Sequence, residues 1–216
     1  MSSVLEPAET LADLLERLGH IPAERIRLRP PPGLATEADV LANASAPRKR
    51  ICELIDGVLV EKAMGFRESG LASWLIVLLG GFVYPRNLGI LSGEQGALRL
   101  FAGRIRIPDV AFISWDRIPG HRWPIEPIPD LSPDLAIEIL SPNNTAGEML
   151  LKRQDYLRSG VALVWEIDPA ARTVSVYSTP NNPVILREAD LLEGGMVQPG
   201  FALALRELFA ELDRHK

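Results

Sequence analysis

The chain has 216 residues, 47% of them hydrophobic and 24% charged, which is enough to bury a full core and too apolar for wholesale disorder. A net charge of −5 and a pI near 5.3 give no overall basic surface for nucleic acid. Local groups (Arg48-Lys49-Arg50, Arg104 with Arg106, Arg117/His121/Arg122) would have to supply any such contact. The single cysteine, Cys52 near Ile51 and Leu54, excludes an internal disulfide framework, suits a reducing cytoplasm and reads as a small buried residue.

In chain order, Met1 to Glu9 carries Glu6, Pro7 and Glu9 but no basic start or apolar run, so no secretory leader is expected. Residues 10–18 have helical periodicity, and Gly19 is a stop signal. Pro30-Pro31-Pro32-Gly33 is a rigid elbow, and Thr36 to Ala42 can form a further short helix. Residues 1–47 therefore read as an N-terminal helical extension packed on a main domain of residues 48–216. Ile51 to Ile55 and Val58 to Lys62 are β-rich runs around Asp56-Gly57, the signal of a two-residue hairpin. Residues 67–83 read as an amphipathic-to-buried helix. Its apolar stretch, Leu71 to Tyr84, is broken by Ser73, Gly80 and Gly81 and falls short of the ~20 residues of a spanning helix, so no membrane association is expected.

Gly89 to Gly96, Ala97 to Phe101 and Arg104 to Ser114 read as strands, and the five prolines between Trp115 and Pro133 mark a loop. Leu135 to Leu140 is a strand. Thr145-Ala146-Gly147-Glu148 is a capping-box pattern opening a helix to about Ser159, and Val161 to Ile167 is a buried strand. Thr173 to Ser178 and Pro183 to Glu188 add β-structure before a last helix at about 203–212. Strand–helix–strand over Leu135 to Ile167 predicts a parallel pair with a right-handed crossover. The whole order predicts an α/β fold, a mixed sheet with helices on both faces.

Two acids stand inside these apolar strands. Asp109 shares a face with Ala111 and Ile113, and Glu138 with Ala136 and Leu140. A carboxylate in such a layer is costly unless a cation or a hydrogen-bond network compensates it. Hard divalent ions such as magnesium or manganese are held by one or two carboxylates, with phosphate and water completing the shell, and Ile139 could add its carbonyl. Lys152, 14 residues after Glu138 and about two turns into the following helix, can reach that pair as a cation near an attacking water or phosphate. Asp109, Glu138 and Lys152 thus suit metal-assisted phosphodiester hydrolysis.

At these residues the chain resembles the Uma-type restriction-endonuclease family of the PD-(D/E)XK nuclease superfamily. Pro108-Asp109, Glu138-Ile139-Leu140-Ser141-Pro142-Asn143-Asn144, Lys152 with Tyr156 and Gly160-Val161, and Val164-Trp165-Glu166-Ile167-Asp168-Pro169 carry the resemblance. Glu53-Leu54-Ile55-Asp56-Gly57 and Pro199-Gly200-Phe201 extend it, over residues 50–210 or so. It implies a restriction-endonuclease-like core of helix, three strands, helix, strand, with magnesium-dependent cleavage of DNA. The superfamily's usual lysine, two residues after the second acid, is replaced here by Leu140, so the displaced Lys152 must serve. Glu53, on a strand face with Ile51 and Ile55, matches the family's element and is expected to reach the site; Glu68, at the start of a helix, is a weaker candidate. Glu61 reads as solvent-facing and Ser141 as a turn residue. His20, His121 and His215 lack metal-ligand spacing. The rival readings are a non-catalytic binding or regulatory module on the same scaffold, for which a homodimer is one form, and a hydrolase of another phosphorylated substrate.

Overall fold

The computed structural model describes residues 8–63 and 65–213; most of the Met1 to Glu9 segment and His215 lie outside the described residues. Helix α1 (Leu11–Arg17) starts at Thr10, whose side chain accepts the Asp13 N–H while Asp13 returns the bond, and ends before Gly19 at φ +73°. Helix α2 (Glu37–Ser45) opens with the same reciprocal cap at Thr36 and Asp39. Strands β1 (Cys52–Ile55) and β2 (Val58–Glu61) form the expected hairpin. Asp56 and Gly57 both have positive φ (48° and 77°), as a type I′ turn requires. Helix α3 (Phe66–Val83) follows, 18 residues long and apolar enough by length and composition to cross a membrane; Leu71, Leu75, Leu79 and Val83 pack it into the core.

The segment from Arg104 to Ser114, expected to be one strand, is two. After β3 (Gly89–Gly93), strands β4 (Leu98–Phe101) and β5 (Arg104–Arg106) pair with the hairpin in a four-stranded sheet of order β2-β1-β5-β4. The chain then crosses at Ile107-Pro108-Asp109 into β6 (Val110–Ser114). Pro108 has no N–H to continue the ladder, so the break falls there. Strand β6 lies between β3 and β7 (Leu135–Ile139), antiparallel to both. Helix α4 (Ala146–Arg158) connects β7 to β8 (Leu163–Asp168), and these two strands are parallel, as expected. Strands β9 (Thr173–Tyr177) and β10 (Val184–Arg187) complete a six-stranded sheet of order β10-β9-β8-β7-β6-β3. A small ladder of β11 (Leu191–Glu193) and β12 (Ala202–Ala204), not foreseen in the sequence, precedes a shorter last helix, α5 (Leu205–Ala210).

The core order is therefore α3-β3-β6-β7-α4-β8, a mixed sheet with α3 and α5 on one face and α4 on the other. The smaller sheet is filled from both sides. Leu14, Leu18 and Ile26 pack on Ile55, Val58 and Val60, and Val40 packs on Cys52, Leu54, Leu59 and Ile105. The segment before β1 also touches α4. Gly19 lies so close to Gly147 that no side chain fits between them, and the Thr145 hydroxyl donates to the Gly19 carbonyl at 2.5 Å. Thr145 caps α4, accepting the Glu148 N–H. The capping box is only half formed, because the Glu148 carboxylate turns away to a bidentate pair with Arg25 (2.6 and 2.9 Å).

Candidate active site

Strand alternation brings the acids together. Ala111, Ile113 and Ala136 pack under Tyr156 on the α4 side of the large sheet, whereas Val110, Phe112, Ile137 and Ile139 face α3 and α5. Asp109 and Glu138 extend the α4-side rows, and the Asp109 N–H donates to the Ile137 carbonyl at 3.0 Å, setting the two residues side by side. In the smaller sheet Cys52, Leu54 and Ile105 point into the α2 core, so Glu53 and Arg106 point the other way, toward the seam. Val58 and Val60 share one row, and Lys62 continues it past the end of β2.

At the seam these side chains form a nearly closed charge cluster. The Lys152 ammonium contacts Glu138 Oε2 at 2.9 Å and Glu53 Oε1 at 3.5 Å. The Tyr156 hydroxyl donates to Glu138 Oε1 at 2.5 Å. Arg106 is forked between Glu53 (2.7 Å) and Asp155 (2.5 Å), and Glu53 also accepts the Ile107 N–H at 3.0 Å. Asp109 Oδ2 accepts the Ile139 N–H at 2.6 Å, and its Oδ1 lies 2.8 Å from the Lys62 ammonium. Glu53, Asp109, Glu138, Lys62, Arg106 and Lys152 are all buried. One strand over, Glu166 is opposite Glu138 in the parallel register and pairs with Arg153 at 2.6 Å. Consecutive cations on α4 thus serve adjacent acids.

The electrostatics follow from this packing. Burial alone would raise Glu53, but Lys152, Arg106 and the Ile107 N–H outweigh it and hold the carboxyl at about 2. Glu138 goes the other way: burial raises it, Lys152 offsets only part of that, and Asp109 adds repulsion, so it sits at about 7. Burial would lower Lys152, but Glu138, Glu53 and Glu148 outweigh it and hold the ammonium well above its ordinary range. Lys152 is therefore a fixed positive charge. Stability linked to Glu53 is present above the ordinary glutamate value and is lost as pH falls toward about 2. Glu138 has the opposite sign, because its folded form holds the proton more tightly, and costs stability as pH rises from the ordinary value to about 7. Urea unfolding across this range is expected to show both limbs, with Glu53→Gln shrinking the acid one, where Glu148 also contributes, and Glu138→Gln the upper one, where Glu166 also contributes.

All four sequence candidates, Glu53, Asp109, Glu138 and Lys152, lie in this cluster. Ile139 adjoins it through the N–H that binds Asp109. Glu68 lies apart, on a neighbouring cleft of about 560 Å³ lined also by Leu140, Ser141, Met149 and Arg153. Glu61 is half-buried and paired with Arg27 and Arg50, where an exposed side chain was expected. The basic groups weighed for nucleic-acid contact are largely spent on internal partners: Arg106 on Glu53 and Asp155, Arg104 on Asp56 and Asp155, Arg117 on Asp134. The Ser141 amide and hydroxyl both bond Asn144, the turn role expected of it.

Lys62 and Asp155 were not singled out from the sequence. Lys62 extends the Val58/Val60 row, and Asp155 lies one turn after Lys152 on the same helix face.

Among the described residues no three Asp, Glu, His or Cys side chains converge as a metal cage. A hard divalent ion needs only one or two carboxylates, and Asp109 with Glu138 supplies hard oxygen donors. The ammonium already seated on Asp109 marks a position that accepts a cation. This donor set fits magnesium or manganese.

A family model described as "Uma2: Putative restriction endonuclease" matches residues 37–206. Among solved structures, one described as a putative nuclease belonging to DUF820, from Anabaena variabilis, is 26% identical with a TM-score of 0.67; the match covers 76% of this chain and 92% of that one. No functionally curated protein matches the chain.

Proposed function

Because the chain belongs to the Uma2 family, we propose that it is a metal-dependent endonuclease that hydrolyses phosphodiester bonds in DNA, acting in the cytoplasm. The observation that carries this reading is the Lys152 ammonium 2.9 Å from Glu138, with Asp109 just before the neighbouring strand β6 and bonded to the Ile139 N–H. Asp109 and Glu138, with the Ile139 carbonyl, would hold magnesium or manganese. When bound, the ion would polarise the phosphate and lower the pKa of the attacking water. The chain's own residues set the stage for that chemistry. Tyr156 fixes the Glu138 carboxylate, and Glu53 holds both Lys152 and Arg106 in place. Lys152, permanently charged, faces the negative charge that builds on the phosphoryl oxygens. The cleft beside Leu140 and Ser141 is the approach for the substrate backbone.

Calorimetric titration with Mn²⁺, followed by cleavage of plasmid DNA, tests this. Wild-type protein is expected to bind saturably and to nick plasmid, and Asp109→Ala to do neither. Binding that survives in Asp109→Ala would overturn the assignment of the ligand. The rival, a non-catalytic module on the same scaffold, draws support from the pairing of every acid in the cluster with an internal cation; absence of Mn²⁺ binding in both proteins would favour it.

A further inference from the structure

Lys62 is the one cation of the cluster that the proposed chemistry does not use. Its ammonium lies 2.8 Å from Asp109 Oδ1 with the side chain only 3% exposed. It nevertheless makes no directed hydrogen bond. The other two cations are anchored several times over: Lys152 on Glu138 and Glu53, Arg106 on Glu53 and Asp155. Lys62 makes its close contact with one carboxylate, Asp109, with a weaker attraction from Glu138, and its backbone is fixed separately by the N–H bond to the Ile51 carbonyl.

The charge balance gives this contact its meaning. Glu53, Asp109, Glu138 and Asp155 are balanced by Lys62, Lys152, Arg106 and Arg104, four acids against four cations. A neutral cluster has no surplus negative charge to attract a divalent ion. The ion's natural first ligand, Asp109, has its other oxygen committed to the Ile139 N–H. Moving the Lys62 head group aside frees Oδ1 and leaves one net negative charge, and a flexible four-carbon stem at a strand end allows that movement at small cost.

We propose that Lys62 is a built-in competitor for the divalent ion: its ammonium occupies the ion's place on Asp109 and must swing away before the ion binds. This rests on the metal-dependent reading above. It makes affinity for the free ion low, and it favours loading when an anionic phosphate arrives to receive the displaced ammonium.

The test is calorimetric titration with Mn²⁺ alone on wild type, Lys62→Met, Lys62→Gln and Asp109→Ala, alongside the Mn²⁺-induced rise in melting temperature. Removing a like charge at this distance is expected to lower the Mn²⁺ dissociation constant by about ten- to a hundredfold in Lys62→Met, with a larger thermal shift than in wild type. Lys62→Gln keeps most of the length and polarity without the charge, and shows the same gain should the methionine variant fold poorly. Unchanged or weaker binding in both lysine variants, with binding still lost in Asp109→Ala, overturns the competitor role and leaves the metal site standing. No binding in any of the four proteins removes the metal site and this inference together.

Discussion

Arg106→Ala is expected to lose about 3–5 kcal/mol of unfolding free energy, the range for breaking a buried ion pair by removing one partner. The guanidinium is 1% exposed and forks between two carboxylates, so its removal takes the shortest cation contact from both buried acids and leaves only the longer ones, Lys152 to Glu53 at 3.5 Å and Arg104 to Asp155 at 3.3 Å. Lysine is no substitute, since one ammonium cannot hold both acids in this geometry. Urea unfolding measures the loss as a lower midpoint at an unchanged slope. Arg99 supplies the control. It grips Glu37 with a similar double contact at 2.6–2.8 Å, but both side chains are about one-third exposed, and Arg99→Ala is expected to cost no more than about 1 kcal/mol. Equal losses in the two variants would mean that burial does not govern the strength of these pairs.

Lys152→Met is expected to slow plasmid cleavage by about 10²- to 10³-fold, the range for deleting one preorganised group that stabilises transition-state charge. Mn²⁺ binding should persist, because Asp109 and Glu138 remain and a neighbouring positive charge has gone. Single-turnover rates at saturating Mn²⁺ separate the two effects. A loss confined to metal affinity would reassign Lys152 to holding the acids, and an unchanged rate would remove it from the chemistry altogether. Since the ammonium stays charged well above its ordinary range, the wild-type pH–rate profile should carry no limb from its deprotonation.

Much of this arrangement can be read from alternation. Asp109 and Glu138 interrupt apolar rows of strands, and the rows give their shared face before any coordinates do. The Asp56-Gly57 turn and the Leu135–Ile167 unit were legible for the same reason, since turn chemistry and short connections are local properties. The split of residues 104–114 between two sheets was less visible. Pro108 signals a break, but which sheet receives Arg104–Arg106 is decided by pairing with a strand about 50 residues earlier. The partners of the acids were hidden in the same way. Arg106 and Arg104 look like a basic patch in sequence, and only long-range pairing turns them inward. Strands β11 and β12 are three residues each, too short to show a period.

The two sheets meet at the Ile107-Pro108-Asp109 crossing, along an apolar seam where Leu98 and Leu100 pack with Ile90, Ala111 and Ile113, and at this knot of opposite charges. Anything that untied the knot would loosen the protein as well as disturb the proposed chemistry. These acids and lysines brace the fold whether or not a phosphodiester is ever cut, so their presence is a record of folding before it is a record of work.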